Sequence, residues 1–474
     1  MSLEKRSTLT LPPRDQRVSE PATSEIRVEI GTIDVLLPCR TFDIAYKVAE
    51  LGVVSPTLEF LLRLVKVVPG LEEAEIAQFF GFSLNDLSYV LNEATEPGYV
   101  ERRNGRVWLR PSGEELFRGD SDEPKIFSVQ ERRRVVGFDL MSVAPQTQRK
   151  LDNVEMALPE LALRDGAGRA GEKVRDRFRL FFRQITERSD RSRSDEVDLY
   201  SIDRITPHAR FRMPVRIRLH STLEDPNSAD IDLSSWRDAH EVADRKEVES
   251  AAAVFAKSCE TTTAASEAPS AYDLLLEFAP DFLREYTTRN GLSVRRYWRE
   301  AATRAGEARV DRKTIPIAGA LHLRENAERL LAMLDYGMRE NPSDQKQIVV
   351  VAPQVEHWGA TLENRELLEV LKTRLKDAGG EDPRSLCMAA GRPPYYIRRT
   401  FDEVACADTP PYPRAVEILL IPGTMCAVVV HSPIGDAAGY PVPLGFGSFD
   451  QKVVQVVTDH VEERELKYTK QDAL

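Results

Sequence analysis

The 474 residues include only five cysteines (Cys39, Cys259, Cys387, Cys406 and Cys426), and no two of them form a CxxC pair. An odd number without short paired spacing argues against a zinc site and against a disulfide framework, and it is the usage of a reducing compartment. Long apolar runs are missing too. The longest, such as "QIVVVAP" and "CAVVVH", are strand-sized and too short to cross a bilayer as helices. The N-terminal "MSLEKRSTLTLPPRDQR" has basic residues but no apolar core, so it does not read as a secretory signal. The chain is therefore expected in the cytoplasm, with no membrane partner. There is also no Walker A loop, no GxGxxG, no HExxH and no GxSxG, and none of the seven histidines pairs with another at metal spacing. Each of those patterns places a phosphate cradle, a metal or a nucleophile, so no cofactor and no metal are expected.

What is present is charge, unevenly distributed. The net charge is −11, which argues against a nonspecific nucleic-acid coat. Yet Arg169–His220 holds 13 Arg and 1 Lys against 8 Asp and Glu, while Ser221–Ser250 holds 9 acidic and 3 basic residues. A basic island thus precedes an acidic stretch. Arginine has a planar fork that suits phosphate oxygens and stacks on bases.

Composition and periodicity divide the chain into a multidomain α+β and α/β protein. Residues 1–25 read as a disordered tail. Residues 26–120 form a first domain, 121–256 a central Arg-rich α+β domain, 257–270 ("KSCETTTAASEAPS") a linker, and 271–474 an α/β domain. In the last, strands such as "QIVVVAP" alternate with helices such as "NRELLEVLKTRLKDAGG", which predicts a sheet with a parallel component. The clearest local pattern lies in 50–117. "PTLEFLLRLVKVV" carries a helical apolar stripe. "GLEEAEIAQFFGF" is a short helix with a glycine stop. "SLNDLSYVLNEATEPG" opens on Ser83, with Asp86 in capping-box position. Asn104-Gly105 then marks a type I′ hairpin. This order of helix, helix, turn, helix and two-stranded wing resembles the winged helix-turn-helix superfamily. The resemblance implies that the third helix, with Asn85, Asp86, Ser88, Tyr89 and Asn92 outward, reads a DNA groove. It implies that the wing, with Arg102, Arg103 and Arg106, touches the backbone or the minor groove. The third helix carries no Lys or Arg, however, and phosphate contact needs cations.

Residues 209–220, "ARFRMPVRIRLH", alternate strictly. On a strand, Phe211, Met213, Val215, Ile217 and Leu219 share one face, while Arg210, Arg212, Arg216 and Arg218 share the other. The arginines would form a cationic rail about 26 Å long at roughly 3.3 Å per residue. Pro214 predicts an edge or a bulge there. Upstream, "EKVRDRFRLFFRQITER" reads as an amphipathic helix with Val174, Phe178, Phe181, Phe182 and Ile185 inward. Arg175, Arg179 and Arg183 make a stripe beside that face. The rail predicts sequence-tolerant, salt-sensitive binding of nucleic acid, most simply DNA. A solvated face with internal salt bridges is the competing reading.

Near the C-terminus, "CAVVVHSPIGDAAGYPVPLGFGSFD" resembles the corresponding part of phospholipase D-like phosphodiesterases, with His431 at the nucleophile position and Gly447-Ser448 at the following turn. The family's lysine position is Pro433 here, which removes a phosphate ligand. The expected function is a nucleic-acid-binding accessory subunit of a bacterial DNA-processing or anti-phage defence assembly, with protein partners. The alternatives are a divergent phospholipase D-like nuclease using His431 and a winged-helix transcriptional regulator.

Overall fold

The computed structural model describes residues 26–51, 55–117, 124, 127–163, 170–187, 197–238, 245–261, 268–303, 312–341, 347–379, 382–435 and 438–471. The tail expected at 1–25 lies outside them. The first element is a strand of unusual length, β1 (Arg27–Leu51). Next comes a small unit: α1 (Pro56–Val67), β2 (Leu71–Glu72), α2 (Glu73–Phe80), α3 (Leu84–Thr95), β3 (Val100–Arg103), β4 (Arg106–Leu109) and α4 (Pro111–Glu114). Its sheet has the order β2-β4-β3. Ser55 caps α1, and Ser83 and Asp86 close a reciprocal box on α3. Asn104 and Gly105 both take positive φ (52° and 73°), as a type I′ turn requires. Leu58, Leu61, Leu62, Val65, Ile76, Leu87, Val90 and Leu91 form a core of its own with Val100 and Val107.

After this unit the chain returns to the sheet that β1 began. β5 (Phe127–Asp139) pairs antiparallel with the outer half of β1, and β6 (Pro145–Gln146) extends it. Helices α5 (Ala170–Leu180) and α6 (Phe182–Glu187) follow, then a second long strand, β7 (Val197–Thr222), and β8 (Asp230–Asp232). β7 runs antiparallel to nearly all of β1, from Arg27↔Thr222 to Glu50↔Val197. The sheet order is β6-β5-β1-β7-β8. Val174, Phe178, Phe182 and Ile185 of α5 and α6 bury against Phe42, Ile44, Tyr46, Val48, Val136 and Phe138 of the sheet, which is the apolar stripe read from the sequence. Phe181 is only half-buried, at the break between the two helices. β1 therefore pairs with β5 and β7, not with the residues that follow it, and 55–117 is an insertion between β1 and β5. β8 covers only Arg218–His220, so β7 is an edge at Pro214, where a missing N–H costs nothing.

The remaining elements are α7 (Ser234–Asp238), α8 (Lys246–Ser258), α9 (Ala268–Phe278), α10 (Pro280–Leu283), the small hairpin β9 (Thr287–Thr288) and β10 (Gly291–Leu292), and α11 (Val294–Thr303). They are followed by β11 (Thr314–Ala318), α12 (Arg324–Glu340), β12 (Gln347–Val351), α13 (Leu362–Asp377), β13 (Arg384–Ala390), α14 (Tyr395–Thr400), β14 (Glu403–Ala407), β15 (Val416–Ile421), β16 (Met425–Ser432), β17 (Val442–Ser448), α15 (Gln451–Glu465) and β18 (Thr469–Gln471). The large sheet has the order β11-β17-β16-β15-β12-β13-β14-β18. Only β12, β13 and β14 run parallel to one another; the other ladders are antiparallel. Of the linker expected at 257–270, α8 occupies 257–258, Thr261 exchanges backbone hydrogen bonds with Gly439, α9 begins at Ala268, and 262–267 lie outside the described residues. One continuous core runs from Ile30, Val35, Val215 and Ile217 through Trp236 and Val248 to Val349, Ile418 and Val457. Among the described residues no helix is long and apolar enough to cross a membrane.

Close packing inside the large sheet yields one stability prediction. A Cβ on Gly445 would stand 1.9 Å from the Val428 carbonyl oxygen. Backbone cannot retreat cheaply from an interior strand, so Gly445→Ala is expected to lower stability by about 1–3 kcal/mol or more, read as a lower urea midpoint.

Candidate anion-binding cleft

β1 supplies the residues opposite the Arg face of β7: Arg40 faces Arg210, Pro38 faces Arg212, Asp34 faces Arg216 and Thr32 faces Arg218. Asp34 is 2% exposed and accepts from Arg216 Nε (2.9 Å) and Nη2 (3.1 Å), from Thr361 Oγ1 (3.1 Å) and from the Leu362 amide (2.7 Å). Arg216 also pairs with Glu363 at 2.9 Å. Arg218 lies 3.3 Å from Glu29 and 3.9 Å from Glu363, and Arg212 lies 2.6 Å from Glu160. This corrects the expectation of an open rail. Its inner end is half-buried beside the N-terminus of α13, and a guanidinium drawn partly out of water is held there by carboxylates.

Arg210 is different. It is exposed and has no carboxylate partner among the described residues. The β1–β7 register shifts between Arg40 and Phe42: Thr41 stands opposite both His208 and Ala209, and its Oγ1 donates to the Ala209 carbonyl (3.1 Å). Such bulges re-aim the side chains beside them. At this bulge Arg40 and Arg210 line a cleft of about 660 Å³ with Arg149, Lys150 and Arg212. Glu160 is the one carboxylate in the lining, and it is taken by Arg212. Pro38, Phe42, Leu140, Leu151, Met156 and Phe211 supply apolar walls.

Two buried carboxylates fix those walls. Asp139, fully buried, accepts from the Met141, Ser142 and Ala144 amides and from Ser142 Oγ, while Leu140 donates its N–H to the Pro38 carbonyl. Glu155 binds Arg149 through both oxygens (2.5 and 3.0 Å) and accepts the Asp152 amide. Arg149 is thereby spent on its own loop, and Lys150 beside it is left exposed without a carboxylate partner among the described residues. Arg40 donates Nε to the His208 carbonyl (3.3 Å), which holds the chain but leaves its charge unneutralised. Three cations in a preformed, partly apolar cleft suit an anion with a flat or apolar portion.

The other residues singled out in the sequence do not join this cleft. Arg102 makes a two-pronged pair with Glu73 (2.8 and 2.7 Å), Arg106 pairs with Glu72 (2.7 Å), and Arg103 pairs with Glu101 (2.9 Å). The Arg102 pair holds the Glu73 carboxyl below its usual range. Arg175 donates to the Ile202 carbonyl at 2.6 Å, Arg183 stands 3.8 Å from Asp198, and Arg179 is exposed on α5. Asn85, Asp86, Ser88, Tyr89 and Asn92 are exposed on α3. His431 is buried on β16, its Nε2 2.5 Å from Glu417 of β15, both under 10% exposed. It lines no described cleft. Lys150 and Arg40 were missed by sequence reasoning. Arg40 becomes visible only once the register sets it against Arg210, and Lys150 only once Arg149 is known to be paired.

Comparison with family models, with curated proteins and with solved structures finds no match to this chain. Among the described residues no group of three or more His, Cys, Asp and Glu could hold a metal.

Proposed function

We propose that the protein is an accessory subunit that holds a nucleic-acid strand by its phosphates at the Arg40–Lys150–Arg210 cleft, without acting on it chemically. The observation that carries this reading is the cluster of three cations lacking carboxylate partners among the described residues, lining one preformed cleft, while the rail arginines Arg212, Arg216 and Arg218 are paired with carboxylates. The cleft is narrower than the rail expected from sequence, so the footprint is a few nucleotides. Apolar walls that include the half-buried Phe211 and the exposed Met156 favour a single strand, whose bases are free to stack. Residues 55–117 are read as a winged helix on element order, and their paired wing arginines support a role other than phosphate contact. The burial of His431 against Glu417 favours a structural part for that residue.

The test is Arg40→Gln, Lys150→Gln and Arg210→Gln combined, with affinity for a fluorescent single-stranded oligonucleotide measured against salt. Losing three phosphate contacts flattens the log–log slope by about 2, at roughly 0.7 per contact on a single strand. Arg133→Gln is the control, because Arg133 is not in the cleft lining and is already paired with Asp43; its slope stays unchanged. An unaltered slope in the triple variant, or a parent protein that binds no oligonucleotide at low salt, refutes the reading.

A further inference from the structure

A second cavity, of about 490 Å³, lies between the beginning of β1 and the beginning of α12. That is the size of a small-molecule site. One wall is strand. Arg27 and Glu29 are two residues apart on β1, about 6.6 Å at roughly 3.3 Å per residue, and His220 of β7 stands opposite Glu29. All three therefore share one face of the sheet. The facing wall is helix, with Asn326 and Arg329 from the first turns of α12. Ala301 and Ala302 of α11 and Ala318 of β11 complete the lining, and their short side chains leave the room.

The cavity is preformed. Asn326 Nδ2 donates to the carbonyls of Ala318, Gly319 and Ala320 (3.0, 3.3 and 3.0 Å), and its Oδ1 accepts from Arg329 Nη1 (3.3 Å). The Ala320 N–H donates to the Ile30 carbonyl at 3.0 Å. A Cβ on Gly319 would lie 2.7 Å from the Glu29 carbonyl oxygen. Residues 318–320 thus tie α12 to β1 at a fixed separation.

The strand wall carries both signs of charge. Arg27 is exposed and makes no ion pair among the described residues. Glu29 is half-buried, with Oε1 taken by Arg218 at 3.3 Å. Burial pushes its carboxyl above the ordinary value; the Arg218 cation opposes this, and the charges of Glu363, Glu325 and Asp232 add to it. Negative charge is thus in excess around Glu29, and an ammonium would relieve it. His220 brings no charge at pH 7, because burial and the Arg27 cation hold its ring below the ordinary value.

We infer that this cavity binds a free α-amino acid with an apolar side chain, its ammonium on Glu29, its carboxylate on Arg27 and its side chain against Ala301, Ala302 and Ala318. Neighbouring side chains of opposite sign match a molecule whose opposite charges are also neighbours, and the planar fork of arginine suits a carboxylate. This inference uses none of the Arg40–Lys150–Arg210 cleft residues and stands if that cleft binds nothing.

The probes are L-valine, L-leucine, L-methionine and L-phenylalanine, titrated calorimetrically into the full chain. Each has two controls: the N-acetyl derivative lacks the ammonium, and the amide lacks the carboxylate. At least one amino acid is expected to bind, with each of its derivatives weaker by about tenfold or more, the worth of one charge-assisted hydrogen bond. Arg27→Gln, at an exposed position, weakens the amino acid by a similar factor and leaves its amide unchanged. Ala302→Phe fills the cavity and abolishes binding while both charges stay in place. A parent that takes up none of the four would overturn the proposal. So would derivatives that bind as tightly as the amino acid, an Arg27→Gln variant that binds it as the parent does, or binding that survives Ala302→Phe.

Discussion

Replacing Asp34 by alanine is expected to cost about 3 kcal/mol of unfolding free energy, the low end for breaking a buried pair, since Arg216 is partly exposed and keeps Glu363. One carboxylate joins three pieces of chain far apart in sequence: it takes two bonds from Arg216 of β7 and two from Thr361 and Leu362 at the start of α13. Without it, Arg216 keeps only Glu363, and the Thr361 hydroxyl loses its acceptor. The check is chemical denaturation of Asp34→Ala beside the double replacement Asp34→Leu with Arg216→Met. If the cost comes from a stranded charge, the double replacement recovers most of it, because apolar side chains of similar volume pack where an ion pair stood. If both lose equally, α13 is anchored by its hydrogen bonds to Asp34, and the pair itself contributes little. Arg216→Gln also lowers the signal of any binding assay run near the unfolding midpoint, through stability alone. The cleft variants avoid this, since Lys150 and Arg210 are exposed and bear no structural ion pair among the described residues.

Local patterns in this sequence were legible because local physics set them. The Ser83–Asp86 box, the Asn104-Gly105 turn, the buried stripe of α5 and α6, and the alternation of β7 each depend on residues within one or two turns of one another. Val215, Ile217 and Leu219 are fully buried, as the alternation required. What was illegible is who stands across from whom. Arg216 and Asp34 are 182 positions apart, and nothing near Arg216 announces its partner. One hint was present. In "EIGTIDVLLPC" a single aspartate interrupts an apolar run, and a buried carboxylate calls for a cation. Reading Asp34 and the rail together would have predicted that part of the rail is neutralised. The cleft was harder to foresee. It exists because a bulge opposite Thr41 breaks the ladder, and because Arg149 is consumed by Glu155 while its neighbour is not. Both are consequences of tertiary register, which sequence periodicity does not encode. The order of β1 around the inserted 55–117 unit was hidden for the same reason, since long-range antiparallel pairing leaves no short-range mark.

Acid is expected to loosen the fold well before its carboxylates titrate. Burial holds His322 below its ordinary value, as it does His220 and His357, and brings His460 down to about 4. The His460 ring is 9% exposed, set edge-on against Phe278 at 4.8 Å and near Tyr412, and the Arg464 cation adds to the depression. In the unfolded chain a histidine takes up its proton near pH 6.5. Between that pH and the folded value the unfolded state binds more protons, so stability falls as pH falls, and it is fully present only above about pH 6.5. One such ring contributes a slope of at most about 1.4 kcal/mol per pH unit, reduced by whatever solvent reaches it. Carboxylates held low by arginine or lysine, such as Glu73 and Glu403, contribute at lower pH, where they protonate. The expected profile is a steady loss from pH 6.5 to 4 and a further loss below it. Replacing His460 by leucine, which suits the aromatic walls and cannot charge, removes its share of the first phase and leaves the second. Urea midpoints measured at pH 7, 5.5 and 4.5 on parent and His460→Leu decide the matter: parallel profiles would mean that the ring is hydrated enough to protonate in place, and that His322, whose Nε2 has no hydrogen-bond partner among the described residues, carries the acid sensitivity instead.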